Sequence, residues 1–457
     1  MTPRGILFPG ALAALTAVFV SGCSLLDPHN LIGRQLGDAG TQASPFEPPS
    51  ARARLSPESR ARAFDFVWET IRDHYYDAKL NGTDWNAVRE KFRPIALGAA
   101  DDDAFWDALD RMSGELRDAH TRVESPKRVA LRNRDEAVTL GFSFVRLAGK
   151  LVVSSVSPDS DAWWAGVRPG MTVVSIAGEP AMSAYEHAMA ETRNDSTERS
   201  RHFRVVRRIV SGEPGTKVGV AFERADGTRL EATLERSAMH FPPTGGHRVL
   251  PSGYGYIHFT QWTFSASYRA IDAVRKLKET PGLIIDLRGN PGGAAEAVNS
   301  MLQGFFPNRM PLGRVITRDG KPVTIFFGAV PIIKLDRVAE GDKEAYKGPV
   351  VILTSVGSAS ASELFAATMQ ATGRAKVVGQ QTCGCLLGFL GFARIPGGGE
   401  LAYSEVAFET SNGKRVEGEG VIPDLAVALS VSDLELNRDR TLEEAQALLA
   451  TMKPWDR

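Results

Sequence analysis

Residues 282–293 read GLIIDLRGNPGG. The run Gly282–Leu287 is apolar without alternation, the pattern of a strand buried on both faces, and glycines follow where it ends. The same texture returns in Pro349–Thr354 (PVVILT) and Ala375–Gly379 (AKVVG), with helical stretches at Ala294–Phe305 and Ala359–Ala371 between them. Tyr254–Thr260 supplies an earlier strand. Strands alternating with helices imply right-handed parallel crossovers. Such sheets place their sites at the carboxyl ends of strands.

Upstream the texture differs. Short strands follow one another from about Val138: LGFSFV, LVVSSV, TVVSIAG, VGVAFER and LEATLER. Residues 58–125 read as helices, because Phe64, Val67, Trp68, Ile71 and Tyr75 recur at three- and four-residue steps. Asn81-Gly82 marks a turn, Asp84 caps a helix starting at Trp85, and Phe105, Leu109, Met112 and Leu116 share a third apolar face. The arginine-rich Glu198–Arg208 reads as a solvated helix face. At the extreme N-terminus, Arg4 precedes an uncharged stretch with an apolar heart at Ile6–Val20, the secretory pattern. Residues 24–56 are rich in Pro, Gly, Ser, Ala and Arg and read as a tether.

The 457 residues carry 54 basic and 54 acidic side chains, a formal net charge of zero. That balance gives a nucleic-acid partner no electrostatic support. Cys383 and Cys385 are two residues apart, too few for a four-ligand zinc site, and are read equally as a disulfide or as two thiols. No metal or cofactor is expected.

Two strand ends carry chemistry. Asp286–Gly293 could bring backbone amides to an anionic centre, but it matches neither G-x-x-x-x-G-K-[ST] nor G-x-G-x-x-G. Gly357–Glu363 reads GSASASE. Ser360 followed by Glu363 reads first as a capping box; the alternative is a nucleophilic serine at a helix N-terminus.

LIIDLRGNPGG, VVILTSVGSASASELFAATMQ, AKVVGQQTCG and VEGEGVIPD together resemble peptidase family S41, over about residues 60–430. The resemblance implies a serine peptidase with Ser360 as nucleophile and the amides of Ala361 and of Gly292 or Gly293 as the oxyanion hole. Processing members of that family take a lysine from a T-x-G-K-G string, but this chain reads Thr382-Cys383-Gly384-Cys385-Leu386. The tricorn-like branch uses a histidine and a glutamate, which fall here on His120 and Glu417. Lys414 is the nearest motif-associated candidate for a relocated lysine. Val20-Ser21-Gly22-Cys23 resembles the lipobox of bacterial lipoproteins, with Cys23 the lipidated residue. SPDSDAWWAGVRPG resembles a PDZ domain, whose carboxylate loop would be Leu140-Gly141-Phe142-Ser143.

The expected architecture is multidomain α+β. A signal peptide (1–22) and tether (23–57) precede an N-terminal helical domain (58–127) and a PDZ-like β domain (128–240). An α/β S41 protease core of the crotonase/ClpP-like kind (241–435) and a C-terminal helical tail (436–457) follow. The expected protein is a lipid-anchored peptidase of the bacterial cell envelope, at the outer membrane facing the periplasm. It would act on proteins or peptides, with room for an adaptor protein or a homo-oligomer. The competing readings are a catalytically inactive PDZ/S41-fold peptide binder and a Ser–Lys protease.

Overall fold

The computed structural model describes residues 54–455 apart from 193–194 and 327–328. The signal peptide, Cys23 and nearly all of the tether therefore lie outside the described residues.

Three helices open the described chain: α1 (Pro57–His74), α2 (Trp85–Leu97) and α3 (Asp102–Ser113). Each starts on a side-chain cap, from Ser56, Asp84 and Asp101 respectively, and such a cap stabilises a helix by about 1 kcal/mol. Their apolar stripes meet in one core, where the Trp68 and Trp85 indoles each donate to the other's backbone carbonyl, at 2.9 and 3.0 Å. The same core contains Ile395, Leu401 and Tyr403 from far down the chain. Strand β1 (Arg122–Glu124) explains this, because it pairs antiparallel with Glu400–Ala402. The helical unit is thus stitched to the downstream α/β unit.

After α4 (Pro126–Arg132) comes an antiparallel sheet in the order β2 (Phe142–Leu147), β3 (Lys150–Val156), β4 (Thr172–Ile176), β5 (Lys217–Glu223), β6 (Arg229–Glu235). The connections carry α5 (Asp161–Trp164), α6 (Ala181–Glu191) and α7 (Glu198–Val210). Val205, Val206 and Val210 of α7 enter this unit's core beside Phe144 and Phe222.

The remaining chain builds a second sheet in which spatial order follows chain order: β7 (Gly245–Val249), β8 (Gly255–Phe259), β9 (Leu283–Asp286), β10 (Val350–Thr354), β11 (Lys376–Gly379), β12 (Leu425–Ala426). All neighbours are parallel except β7 and β8. Strands added in one direction by right-handed crossovers leave their helices on one face. Accordingly α8 (Phe264–Lys276), α9 (Ala295–Gln303) and α10 (Ala361–Ala371) share a core with Ile257, Ile285, Ile352 and Val377. Alternate residues Tyr256, Ile284, Val351 and Val378 point the other way. That face is covered by Ala445 and Leu449 of α12 (Arg440–Leu449), which follows the short α11 (Val431–Glu435). The helix expected as a tail is therefore one of the sheet's two covers.

Candidate active site

The carboxyl ends of β9 and β10 meet at the Ser360 loop. Ser358 donates its hydroxyl to the Leu287 carbonyl at 2.7 Å, and Ala359 N–H donates to Asn290 O at 3.1 Å. Asn290 organises the facing loop: its amide nitrogen donates to Phe259 O at 2.9 Å and its side-chain oxygen accepts from Gly292 N–H at 3.0 Å. Gly292 has φ +104°, and a Cβ there would stand 2.7 Å from Ser360 Cβ and 2.9 Å from the Ala361 nitrogen. Only glycine permits that approach.

Ser360 itself has φ +54° and ψ −117°. A non-glycine residue in this region costs about 1–3 kcal/mol and persists only where surroundings hold it. What holds it is visible. Its N–H donates to Cys385 O and to Glu363 Oε2, both at 3.0 Å. Its hydroxyl lies 3.0 Å from His120 Nε2. The residue is thus both cap and candidate nucleophile: Glu363 caps the backbone while the side chain faces the imidazole.

Glu363 does far more than a cap. It is 0% exposed, and its carboxylate also accepts from Thr382 Oγ1 (2.5 Å), Gly384 N–H (2.7 Å) and Cys385 N–H (2.9 Å). Burial raises its pKa and these donors oppose the rise. Glu363→Ala would leave four donors facing a methyl group. At about 1–3 kcal/mol for each unsatisfied group, partly recovered by relaxation, the expected loss of stability is about 3 kcal/mol or more. Denaturant unfolding checks this; an unchanged midpoint would show that the carboxylate holds nothing.

Cys383 and Cys385 form a disulfide, so neither presents a thiol to Ser360. Their turn braces the site by backbone groups, since Cys383 N–H also donates to Ser358 O at 3.0 Å.

His120 arrives from the loop between α3 and β1. Asp118 shapes that loop: its carboxylate accepts from His120 N–H (2.8 Å), Thr121 Oγ1 (2.5 Å) and Ser404 Oγ (2.6 Å). Burial lowers the imidazole pKa below 6.5; Asp118 and Asp195 pull it up, and Arg122 pushes it down. Nδ1 is buried and has no hydrogen-bond partner among the described residues. Glu417, expected to orient the ring, instead accepts from Leu386 N–H at 2.5 Å, with the Ser196 hydroxyl near enough to favour its charged form. Ser196 Oγ accepts from Ala119 N–H at 2.9 Å, beside His120 in the histidine loop. Burial and the Asp118 carboxylate raise Glu417 well above the ordinary carboxyl range. The carboxylate that acts most strongly on His120 is Asp118, whose only trace in sequence is its place two residues before the histidine. Lys414 pairs with Glu419 at 3.4 Å and makes no contact with the Ser360 hydroxyl.

Of the expected oxyanion donors, the Gly292 amide is engaged by Asn290. The N–H groups of Gly293 and Ala361 donate to nothing among the described residues. Ala361 opens α10 directly after Ser360, where helix amides favour negative charge, and Gly293 follows Gly292, whose Cα stands against Ser360.

The arginine-rich helix α7 is solvated at Arg207 and Arg208 but not at its N-terminal end. Arg199 donates to Thr382 O at 2.6 Å and to the Glu419 carbonyl, and Thr197 Oγ1 donates to Cys383 O at 2.5 Å. Those acceptors lie 183 to 220 residues further along the chain, which is why periodicity could not find them. At the other end of α7, Val210 O accepts from Leu140 N–H at 3.1 Å, and Gly141 N–H donates to Thr139 Oγ1 at 3.2 Å. Two amides of the expected carboxylate loop are therefore already taken. Phe142 and Ser143 lie in β2, opposite Val156 and Ser155 of β3.

A serine hydroxyl at a helix N-terminus, facing a buried imidazole, is the arrangement of hydrolases that use a serine nucleophile. The chain carries a peptidase family S41 domain, matched over residues 253–427, preceded by a tricorn protease C1 domain over residues 56–114. It is 30% identical over 283 residues to the carboxy-terminal processing protease CtpB of Bacillus subtilis (strain 168), covering 61% of this chain and 53% of that protein. Tricorn protease homolog 1 of Streptomyces coelicolor is 26% identical over 412 residues, covering 87% of this chain and 36% of that protein. The chain thus spans about half of the first relative and about a third of the second. Among solved structures, the photosystem II D1 C-terminal processing protease aligns with TM-score 0.54 at 22% identity, and mature CPAF with 0.65 at 12%. Each alignment covers 86% of this chain and 97% of the other. At these identities the likeness is one of fold.

Proposed function

We propose that this protein is a serine peptidase that hydrolyses peptide bonds through an acyl-enzyme on Ser360, with His120 as base. The observation that carries the reading is the 3.0 Å contact between Ser360 Oγ and His120 Nε2. Attack of the hydroxyl oxygen on the peptide carbonyl carbon passes its proton to Nε2, which requires a neutral ring protonated on Nδ1. The new oxyanion lies against the amides of Gly293 and Ala361. Collapse expels the amine, which takes the proton from His120, and a water molecule then repeats the sequence on the ester. Asp118 and Asp195 favour the transient imidazolium. The β2–β6 unit, PDZ-like in sequence, would hold or gate substrate, and α7 transmits its position to the site by bonding the Cys383–Cys385 turn. The test is an alkyl fluorophosphonate, expected to label Ser360 stoichiometrically by mass spectrometry. An unmodified Ser360 in folded protein would overturn the reading.

The envelope location is part of the same proposal and rests on the sequence around Cys23. Two or more acyl chains there give a stable anchor. Cys23→Ser is expected to move the protein from the detergent phase to the aqueous phase; unchanged partitioning would place the attachment elsewhere.

A further inference from the structure

The segment 381–386 borders the Ser360 loop and belongs to no helix or strand. Its contacts are nonetheless closely specified. Cys385 O accepts from Ser360 N–H, and Cys383 N–H donates to Ser358 O, each at 3.0 Å. Gly384 and Cys385 donate their N–H groups to Glu363 at 2.7 and 2.9 Å. To aim these groups together the chain must turn. Gly384 has φ +76°, and the Cα atoms of Cys383 and Cys385 stand 5.3 Å apart, against about 6.6 Å across two residues of extended strand.

The Cys383–Cys385 disulfide closes that turn covalently. Two observations assign the bond to the site and not to global stability. A cross-link restrains the unfolded chain less the shorter the loop it closes, and this one encloses only Gly384. Ser360, moreover, keeps φ +54° only because its surroundings hold it, and both acceptors of its N–H run through Cys385. One is Cys385 O, and the other is Glu363 Oε2, which also accepts from Cys385 N–H. Other contacts fix where the turn lies: Gly384 O accepts from Gly418 N–H at 2.9 Å and Cys383 O from Thr197 Oγ1 at 2.5 Å. They remain when the bond is cut, so the effect of cutting it is local.

We propose that the Cys383–Cys385 disulfide positions Ser360 for attack, and that its reduction by a dithiol turns the peptidase off reversibly. This rests on the peptidase reading. A thiolate of the reductant attacks one cysteine sulfur, the S–S bond breaks, and the other sulfur leaves as a thiolate and takes a proton. The second thiol of the reductant then resolves the mixed disulfide. Two electrons and two protons end on Cys383 and Cys385, and the reductant departs as a disulfide. Both cysteines are buried, so attack passes through an opened turn, the same state in which Ser360 loses its support. Once reduced, the two residues can spread toward the extended separation, and the Cys385 carbonyl and amide leave Ser360 and Glu363 together. Disulfides persist in oxidising compartments and not in reducing ones. At the proposed envelope location the chain is therefore silent before export and competent after it.

The probe is the alkyl fluorophosphonate, with Ser360 labelling followed in oxidised protein and in protein reduced by dithiothreitol. Alkylation of the same samples counts the thiols at Cys383 and Cys385. Misplacing a reacting group by about 1 Å costs up to about a hundredfold, so reduction should slow labelling at saturating reagent by about tenfold to a hundredfold. The half-saturating concentration should change little, reoxidation should restore the rate, and the denaturant midpoint should stay near that of oxidised protein. The double variant Cys383→Ser/Cys385→Ser should label at the reduced rate with or without dithiothreitol. Equal or faster labelling with both thiols free would overturn the proposal. So would a bond that no dithiol opens in folded protein, or a loss of labelling matched by unfolding. A double variant that does not fold would mark the bond as structural and overturn it too. Absence of labelling in both redox states would instead remove the peptidase reading, and the switch with it.

Discussion

Ser360→Ala is expected to reduce kcat/KM by about 10⁴-fold or more, the scale on which removal of a serine nucleophile acts, with folding nearly intact. The geometry separates the two effects. Ser360 is held by its backbone N–H, bonded to Cys385 O and Glu363 at 3.0 Å, and an alanine keeps both bonds. The hydroxyl is committed to His120. Its removal therefore deletes the reacting atom and one hydrogen bond, about 1 kcal/mol of stability. Hydrolysis by purified Ser360→Ala protein and its unfolding midpoint check both halves; wild-type rates would remove Ser360 from the mechanism.

The second large effect belongs to His120. His120→Ala should cost several orders of magnitude in kcat/KM, because a free serine hydroxyl is a poor nucleophile without a base. The pH profile adds a sign. The base works only when neutral, so activity falls as pH drops through the pKa of His120. Burial holds that value below 6.5, with Asp118 and Asp195 opposing and Arg122 reinforcing. The acid limb of kcat/KM should accordingly lie below pH 6.5, and Asp118→Asn should move it further into acid by withdrawing the favourable charge. Glu417→Gln should matter much less, since that carboxylate holds the Leu386 amide and not the ring. A limb at or above pH 6.5, or one that survives in a folded His120→Ala protein, would transfer the base to another group.

Much of this was legible in the sequence. GLIIDL and PVVILT announce strands buried on both faces because each residue of the run, Ile284 as much as Ile285, meets an apolar layer. The glycines after them mark the close approach to Ser360. Local signals of this kind survive in one dimension. Pairings across long separations do not. Nothing in the Glu198–Arg208 run declares that Arg199 will bind carbonyls of residues 382 and 419; arginine spacing alone looks solvated. Glu363 reads as an ordinary cap because one of its four bonds is local and three arrive from the Thr382–Cys385 segment. Glu417 occupies the place that the family resemblance implies, yet it holds the Leu386 amide, while Asp118 binds the His120 backbone N–H and acts on the ring through its charge.

The three-residue strand Arg122–Glu124, bound to Glu400–Ala402, has a bearing on biogenesis. His120 and Ser360 are 240 positions apart, and the histidine loop is fastened by Ser404, still further along. A chain emerging from its N-terminus cannot place the imidazole until those late residues have been delivered. A chain that has delivered only its first two thirds therefore holds the His120 loop without Ser360 or Ser404 to face and fasten it. On the proposed mechanism, competence to cut waits until the last third of the polypeptide folds back onto the first.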